Sequence, residues 1–469
     1  MSQENIDSSQ NDSQLSILNL YDHLLEKIFL FTNFNDIKNL TLTCSKFHNV
    51  IGTSVQIMKN FEIDWYTDSK DEDYEQALLE SNRRYQILVI EGINKKSQNL
   101  FKFITQQSSS LKHLEIYSSF LKLSDLIKIF KLVSKNLKIF ALIDTIFEVD
   151  QDGPYDLENL QLDELKFGIG NDEFIKLYDL FQNILNLKKI IIHVYDINTR
   201  EQQNVCNFIR NQNQMKEFEI IINDEQNNDG TTILKDLRNI SSILQLTKLS
   251  ITNSMEASNL YHIDTFVFLK QSFSSLKDLK ISDTKFSASD FEVLLNMRLE
   301  ELEIMYFRCL MTLPNTINVQ NSSIKKLSVC HHLDKFENET QLLVEFLKNC
   351  LAVEYFKLHR IAMKYEIGLV LLYYMKNLKH LEVNYLGFPI HLPMIQTLYL
   401  NSTDYISLMF IRYNRHLKKL KVPRHLQNRP DFQNILDELK LEELSFYEDE
   451  ESDNEYFEET DIDEDEYDD

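Results

Sequence analysis

A short apolar phrase recurs along most of the chain, and its spacing predicts the architecture. Written L-x-x-L-x-L, where L is any apolar residue, it occurs fifteen times between Tyr85 and Leu441. Its copies begin at Tyr85, Leu111, Leu137, Leu157, Leu187, Met215, Leu246, Leu276, Leu299, Ile324, Val353, Leu378, Ile395, Leu417 and Leu441. The mean period of about 25 residues predicts a solenoid of stacked repeats.

Each copy has the pattern of a half-buried strand. Its fourth and sixth positions point to one side and are apolar, while the third, fifth and seventh point to the other side and accept polar residues. Between the strands, apolar residues recur at helical spacing, as in 123–133, where Ser124 is a candidate N-cap. The sequence therefore predicts an α/β horseshoe with parallel strands inside and helices outside. Intervals of 17 to 31 residues predict an irregular arc, mis-registered near Ile395.

A different pattern occupies residues 18–51, ahead of the repeats. Apolar residues there recur at helical spacing in three short blocks, and Asn35 is a candidate N-cap of the second. The apolar residues of the blocks are Leu24, Leu25, Ile28 and Phe29, then Ile37, Leu40 and Cys44, then Phe47, Val50 and Ile51. Because about forty residues are marginal as an independent fold, we expect an apolar face to remain for a partner.

This head resembles an F-box. That family's motif opens with Leu-Pro, continues with two aliphatic residues and Ile-Phe, and closes near Val-Cys-Lys and an aromatic residue. The matching positions are Leu20, Leu24, Leu25, Ile28, Phe29, Asp36, Ile37, Leu40, Thr43, Cys44, Ser45, Lys46 and Phe47. Tyr21 stands where the family usually has proline, and His23 where an acidic residue is common. The repeats resemble the leucine-rich repeats of the intracellular helical type.

The resemblance to F-box proteins with C-terminal leucine-rich repeats implies a function. In that family the head docks on the Skp adaptor of a cullin-RING ubiquitin ligase, and the repeats bind a protein substrate. The adaptor-docking residues implied here are Leu20, Tyr21, Leu24, Leu25, Ile28, Phe29, Ile37, Leu40 and Phe47. Transfer chemistry would belong to the partners, so we expect no cofactor and no catalytic residue. The structural alternative is a helical cap that shields the first repeat.

The polar face of the predicted sheet carries candidates for substrate binding. Large rigid side chains anchor protein interfaces, so aromatic residues and their charged neighbours are preferred. The candidates are Tyr117, Tyr355, Lys357, His380 and Tyr399, with Tyr447 at the end of the repeats. Ordinary half-exposed strand residues are the alternative for each. The second phrase position is often lysine, which predicts either a basic rim or a row of solvated side chains.

Acidic charge is concentrated at the C-terminal end. The formal net charge is −24, and residues 448–469 contain fifteen carboxylates but no lysine or arginine. Such a segment is expected to be disordered, and its acidity disfavours nucleic-acid binding. Two other classes share an acidic tail: a repeat protein that binds basic partners such as histones, with the head only a cap, and a GTPase-activating repeat protein. Neither explains the head.

Compartment and domain boundaries follow from the remaining features. We find no membrane-length apolar run, no secretion signal, and no paired spacing among five cysteines, so we expect a cytoplasmic or nuclear protein without a metal. Adjacent Cys330, His331 and His332 alternate faces on a strand and are not expected to bind metal. The expected segments are a disordered N-terminus 1–14, a helical head 15–60, an acidic linker 61–80, a solenoid 81–447 and a disordered acidic tail 448–469.

Overall fold

The structure of the chain is a computed structural model. It describes residues 16–59, 61–66, 72–93, 98–148, 150, 160–169, 177–178, 180–182, 184–195, 199–222, 245–253, 274–282, 285–305, 308–309, 317–330, 337–401 and 405–447. The N-terminus 1–14, the first three residues (157–159) of the copy predicted at Leu157, the pair His331 and His332 and the acidic tail 448–469 lie outside the described residues. The two predictions of disorder therefore stay predictions.

Four short helices form the head. After a 3₁₀ turn at Ile17–Asn19 come α1 (Asp22–Phe29), α2 (Phe34–Thr41), α3 (Ser45–Thr53) and α4 (Val55–Met58). The sequence predicted three of these helices and missed the single turn of α4.

Two predicted local roles in the head are wrong. The N-cap of α2 is Asn33, whose Oδ1 accepts the Asp36 N–H at 2.9 Å, whereas Asn35 lies inside the helix. Cys44 does not belong to the stripe of α2 but is the N-cap of α3, where its Sγ accepts the Phe47 N–H at 3.5 Å. Both shifts have one cause: an N-cap side chain must reach an amide two or three residues ahead, and these two residues do so.

The chain forms two compact units, Met1–Gln214 and Met215–Asp469. In the first, six strands pair in parallel in chain order: β1 (Glu62–Tyr66), β2 (Ile87–Glu91), β3 (His113–Tyr117), β5 (Ile139–Ile143), β7 (Glu164–Ile169) and β8 (Lys189–Val194). Short strands β4 (Phe120–Lys122) and β6 (Ile146–Glu148) pair separately. The helices are α5 (Glu72–Glu80), α6 (Gln98–Gln107), α7 (Leu123–Val133) and α8 (Thr199–Arg210).

The second unit repeats this design. Its strands β9 (Glu217–Ile222), β10 (Lys248–Asn253), β11 (Asp278–Ser282), β13 (Glu301–Met305), β15 (Lys326–Cys330), β16 (Tyr355–Met363), β17 (His380–Leu386), β18 (Thr397–Leu400), β19 (Lys419–Pro423) and β20 (Glu443–Tyr447) pair in parallel in that order. Short strands β12 (Lys285–Phe286) and β14 (Arg308–Cys309) pair separately. The helices are α9 (Ala288–Asn296), α10 (Glu337–Lys348), α11 (Tyr365–Tyr373), α12 (Tyr405–Tyr413) and α13 (Pro430–Leu436), with a 3₁₀ turn at Arg424–Asn428. The predicted α/β solenoid is confirmed.

One backbone arrangement joins successive repeats. The carbonyl at the second phrase position accepts the N–H groups of the second and third positions of the next copy, as Lys112 does from Lys138 at 2.8 Å and Ile139 at 3.0 Å. On β3, the fourth and sixth positions, Leu114 and Ile116, are fully buried. The register turns the apolar pairs into the core, because a shift by one residue would expose them, and the last strand is the exception, with Leu444 exposed and Phe446 half-buried.

The structure corrects three details of the repeat pattern. The copy predicted at Leu157 is wrong: strand β7 starts at Glu164, so its phrase begins at Leu162 and the intervals on either side become 25 residues. The copy at Ile395 is in register, since Thr397 pairs with His380. The predicted linker 61–80 contains β1, which pairs with β2, and α5, so the solenoid begins before residue 81.

The predicted N-cap Ser124 of α7 is also wrong, because the cap residue is Lys122 and it makes no side-chain cap bond. Ser124 lies inside the helix, where its N–H and hydroxyl donate to the Asp150 carboxylate at 3.0 and 2.6 Å. These hydrogen bonds hold the pKa of Asp150 below its usual value. The free N–H group at the start of α7 is therefore bonded by a carboxylate twenty-six residues away, an arrangement that no local sequence rule predicts.

Candidate docking surfaces on the head and on the sheet

Helix α1 carries two neighbouring apolar stripes, and the inner one forms the core of the head. Leu25 and Phe29 are buried, and the Phe29 ring meets the Phe47 ring edge-on with centroids 5.1 Å apart. Ile37 of α2 is buried as well. These four residues form the core of the head, because an amphipathic helix packs its most apolar side against its own domain. That they also contact the adaptor stays a prediction.

The outer stripe of α1 is exposed. Tyr21, Leu24, Ile28 and Phe31 follow one another at steps of three, four and three residues, with 74%, 37%, 42% and 93% of their surfaces exposed. Leu42 is 84% exposed, and the predicted Leu20 and Leu40 are half-buried. Phe31, which lies in the turn after α1, and Leu42 were not predicted. Single exposed apolar residues are ordinary, but a continuous stripe is typical of a binding surface.

The motif lysine fixes the chain that enters α1. Lys46 Nζ donates to the carbonyls of Leu18 and Leu20 at 2.8 and 2.7 Å and lies 3.8 Å from the Asp22 carboxylate. These bonds satisfy carbonyls that the 3₁₀ turn leaves without helical partners. The position of Tyr21 at the start of the exposed stripe therefore depends on α3 as well as α1.

The head also packs on the first repeats. The Gln86 Nε2 group donates to the Val55 carbonyl at 2.6 Å, and the Arg84 N–H donates to the Gly52 carbonyl at 3.2 Å. A Cβ atom at Gly52 would lie 3.0 Å from Arg83 Cγ. The head thus covers the end of the solenoid with α3 and α4, and it presents the outer stripe of α1 to solvent. The face that covers the solenoid therefore differs from the exposed stripe.

Four of the five predicted substrate residues lie on three adjacent strands of the second unit. Lys357 Nζ lies 2.7 Å from the Glu382 carboxylate, which also accepts the Tyr355 hydroxyl, and the rings of Tyr355 and His380 are 6.3 Å apart. Burial opposes ionisation of Glu382, but the bonds from Lys357 and Tyr355 hold its pKa below the usual value. Burial and the Glu382 hydrogen bond raise the pKa of Tyr355.

Tyr399 belongs to a second group that continues toward the last strand. Lys421 Nζ lies 5.6 Å from the Tyr399 ring centroid and 5.5 Å from that of Tyr447, both within cation–π range. The Tyr447 hydroxyl donates to the Leu400 carbonyl and to Asn401 Oδ1, both at 2.9 Å. Lys421 was missed, although it occupies the same fifth phrase position as Tyr399, with which it pairs in register.

Tyr117, the fifth candidate, lies in the first unit with a different set of neighbours. Its hydroxyl donates to the Glu115 carboxylate, which also lies 2.5 Å from His113 Nε2, and Lys166 Nζ is 5.7 Å from the Tyr117 ring centroid. The His113 hydrogen bond contributes most to a lowered pKa of Glu115, and burial raises that of Tyr117. Tyr117 therefore has its own set of neighbours within the first unit.

Half of the basic rim is paired within the solenoid. The second phrase positions carry Lys112, Lys138, Lys188, Lys216, Lys277, Lys325, Lys379 and Lys418. Half of these lysines contact a carboxylate of a neighbouring repeat, at 2.8 Å in Lys188–Asp163, 2.6 Å in Lys277–Glu300, 2.7 Å in Lys379–Glu354 and 3.2 Å in Lys418–Glu442. These cross-repeat pairs favour the interpretation as a row of solvated side chains over a rim that attracts an acidic partner.

A buried histidine on the sheet makes stability depend on pH. His193 of β8 has its pKa lowered to about 4 by burial first and by the charge of Lys166 second, while Asp144 opposes the shift. The unfolded chain therefore binds the proton more readily, and the stabilisation present above pH 6.5 is lost as the pH falls toward 4. We expect the free energy of unfolding of the first unit to be about 1–2 kcal/mol lower at pH 5 than at pH 7.

The measurement is urea unfolding followed by the fluorescence of Trp65, the single tryptophan, which is buried in the same unit. His193→Gln should remove most of the difference between the two pH values, and His23→Gln, which changes an exposed histidine of α1, should keep it. A His193→Gln chain that loses as much stability as the parent on acidification would contradict the assignment.

The described residues contain no helix that is long and apolar enough to cross a membrane. In the same part of the chain, no three His, Cys, Asp or Glu side chains gather around a position where a metal could bind. Cys330 is buried at the end of β15.

Comparison with known proteins identifies the head. Residues 17–55 match the family model of the F-box domain, and this segment contains α1, α2, α3 and the start of α4. The chain therefore carries an F-box domain in front of a parallel α/β solenoid.

No curated protein matches the chain. Among solved structures, 70 chains match. One comes from the crystal structure of a TLR13–ssRNA13 complex, with 15% identity and a TM-score of 0.39. The alignment covers 77% of this chain and 53% of that one, so this chain spans about half the length of its relative.

Proposed function

We propose that this protein is the substrate-recognition adaptor of a Skp-cullin-F-box type ubiquitin ligase. The head docks the Skp adaptor. The solenoid, which we assign to the leucine-rich repeat class, binds a protein substrate. The observation that carries the proposal is the exposed stripe of Tyr21, Leu24, Ile28 and Phe31 within the segment that matches the F-box domain. A stable monomer gains nothing from such a stripe, whereas a helical partner would bury it.

The roles divide between the two regions. The docked head fixes the solenoid in the ligase, so a substrate lysine is presented to the transfer enzyme by proximity rather than by chemistry of this chain. The candidate substrate residues are those of the second unit, Tyr355, Lys357, His380 and Tyr399. We place the protein in the cytoplasm or the nucleus, where the ligase partners act. The tail 448–469 is an additional segment outside this scheme.

The proposal is tested by binding to purified Skp adaptor. Leu24→Asp with Ile28→Asp places two carboxylates in the outer stripe, and we expect adaptor affinity to fall at least about tenfold because burying an unpaired charge is costly. The fold of the head should survive, since both side chains point away from Leu25 and Phe29. Affinity is measured by calorimetry with the full chain.

The control is Ile146→Asp with Leu185→Asp, which charges two exposed apolar residues outside the head. This variant should bind the adaptor as the parent does. Equal loss in both variants would indicate general damage and not a docking stripe. A folded parent chain that does not bind the adaptor would instead favour the alternative class, an acidic-tailed repeat protein for basic partners in which the head is only a cap.

A further inference from the structure

Lys421 is a charged side chain of the last repeats that no carboxylate of the described residues neutralises. Its neighbour Lys419 contacts Glu443 at 2.5 Å, and Lys357 contacts Glu382 at 2.7 Å. In the described residues, Lys421 has no carboxylate at ion-pairing distance, and its ammonium lies between the rings of Tyr399 and Tyr447. A half-buried cation between two aromatic rings retains its attraction for an anion from outside, because the rings supply no formal charge.

The polar face of β18 to β20 is well suited to an extended anionic segment. The third, fifth and seventh phrase positions of these strands alternate hydroxyl, amide and aromatic groups around Lys421, such as Thr397, Asn401 and Ser445. The pair of Lys419 and Glu443 contributes no net charge. The local excess is therefore one positive charge, flanked by hydrogen-bonding groups and by two tyrosine rings that can pack against a peptide.

An anionic segment begins at the edge of this face. Tyr447 is the last described residue, its ring contacts Lys421, and its hydroxyl is fixed by Leu400 and Asn401. Residues 448–469 follow directly, with Glu448, Asp449, Glu450 and Glu451 in succession. The distance from the Tyr447 ring centroid to Lys421 Nζ is 5.5 Å, and two residues of chain span up to about 7 Å.

We infer that the acidic segment 448–469 binds in cis on the face formed by Tyr399, Lys421 and Tyr447. The first carboxylates after Tyr447 contact the Lys421 ammonium, and the segment continues over β19 and β18. Because the segment is attached at the site, its effective concentration there is in the millimolar range, which favours contact of its successive carboxylates with the Lys421 ammonium. It covers the strand next to the candidate substrate residue Tyr399, and an external partner of this face has to displace it. The inference does not depend on adaptor docking by the head.

The test is carbodiimide cross-linking of the full chain, which joins a lysine amine to a carboxylate in direct contact, followed by peptide mass spectrometry. We expect cross-links between Lys421 and residues 448–469 in the monomer, in a yield independent of protein concentration. The yield should fall at least about fivefold between 0.05 and 1 M salt, because the Debye length shrinks from more than 10 Å to about 3 Å. Lys418, which lies 3.2 Å from Glu442, is the control and should give at least about fivefold less cross-linking to the segment.

A second measurement uses the acetylation rate of individual lysines in the full chain. Replacement of Glu448, Asp449, Glu450 and Glu451 by their amides should raise the acetylation rate of Lys421 about fivefold and leave that of Lys418 unchanged. Equal cross-linking of both lysines to the segment, or equal acetylation of Lys421 in both chains, would overturn the inference. Cross-links found only between two chains would assign the face to a second copy and would overturn it as well. Adaptor binding is measured on the same samples. A failed inference about the acidic segment is thereby distinguished from a failed proposal about adaptor docking.

Discussion

Replacing Phe140 by alanine is expected to lower the local stability of the first unit by about 3–5 kcal/mol, the usual cost of removing a fully buried aromatic side chain. Phe140 lies at the fourth phrase position of β5 and has no exposed surface. Its ring meets the Phe130 ring of α7 edge-on at 4.7 Å and the Phe181 ring at 6.3 Å. The substitution therefore leaves a cavity between a strand and its helix, and rigid neighbours on both sides prevent its collapse.

Hydrogen exchange is the suitable measurement, because it reports the opening of individual strands within a solenoid. The amides of β5 should exchange at least about a hundredfold faster in Phe140→Ala, since each 1.36 kcal/mol is a factor of ten. Phe140→Leu nearly conserves volume and should cost less than about 1.5 kcal/mol. The amides of β16 to β19, which belong to the second unit, should be unaffected. Equal acceleration in both units would contradict the repeat-by-repeat description.

Fourteen of the fifteen predicted strands could be located from the sequence because each repeat has the same buried positions, so a local pattern is confirmed by its neighbours. The two errors have identifiable causes. In β1 the phrase begins with Asn60 where an apolar residue was required, although Ile63 and Trp65 occupy the fourth and sixth positions and are buried. Near Leu157, two overlapping phrases share Leu162, and only the 25-residue interval separates them.

The candidate sites were harder to predict, because periodicity reveals an apolar face but not what covers it. Helix α1 has two such faces, and the sequence combined Leu25 and Phe29 of the inner stripe with Leu24 and Ile28 of the outer one. On the sheet, polar residues were assigned to the correct side, but their partners depend on the register between strands. For example, Glu382 neutralises Lys357, whereas Lys421 has no such partner in the described part of the chain. This difference depends on side chains of neighbouring strands, which one copy of the phrase does not show.

The second large loss of stability is expected in the short repeat between β17 and β18 of the second unit. Leu378 and Ile395 are only 17 residues apart, and the segment between β17 and β18 contains no helix to cover the core. The side chain of Asn414, which is fully buried just after α12, holds this segment by hydrogen bonds instead. Its Oδ1 accepts the Leu392 N–H at 2.7 Å, and its Nδ2 donates to the carbonyls of Ile390 at 2.9 Å and Phe410 at 2.8 Å. One amide thus satisfies the Leu392 N–H and the Ile390 carbonyl, which lie outside strands and helices, and it is a second donor to the Phe410 carbonyl, which also accepts the Asn414 N–H at 3.2 Å.

Asn414→Ala should therefore destabilise this repeat by about 2–4 kcal/mol, because it leaves buried backbone groups without a hydrogen bond and a small cavity beside them. Exchange of the Leu392 amide and of the β18 amides measures the effect. Asn414→Asp keeps the acceptor for Leu392 but loses the donor, so protection of the Leu392 amide should be partly retained. Asn377→Ala removes an exposed amide with one bond, 3.2 Å to the Leu351 carbonyl, and should cost less than about 1 kcal/mol. If Asn414→Ala and Asn377→Ala were equally mild, the short repeat would be held by its apolar contacts and by the bonds that His391 and His416 make across it, and not by the buried amide.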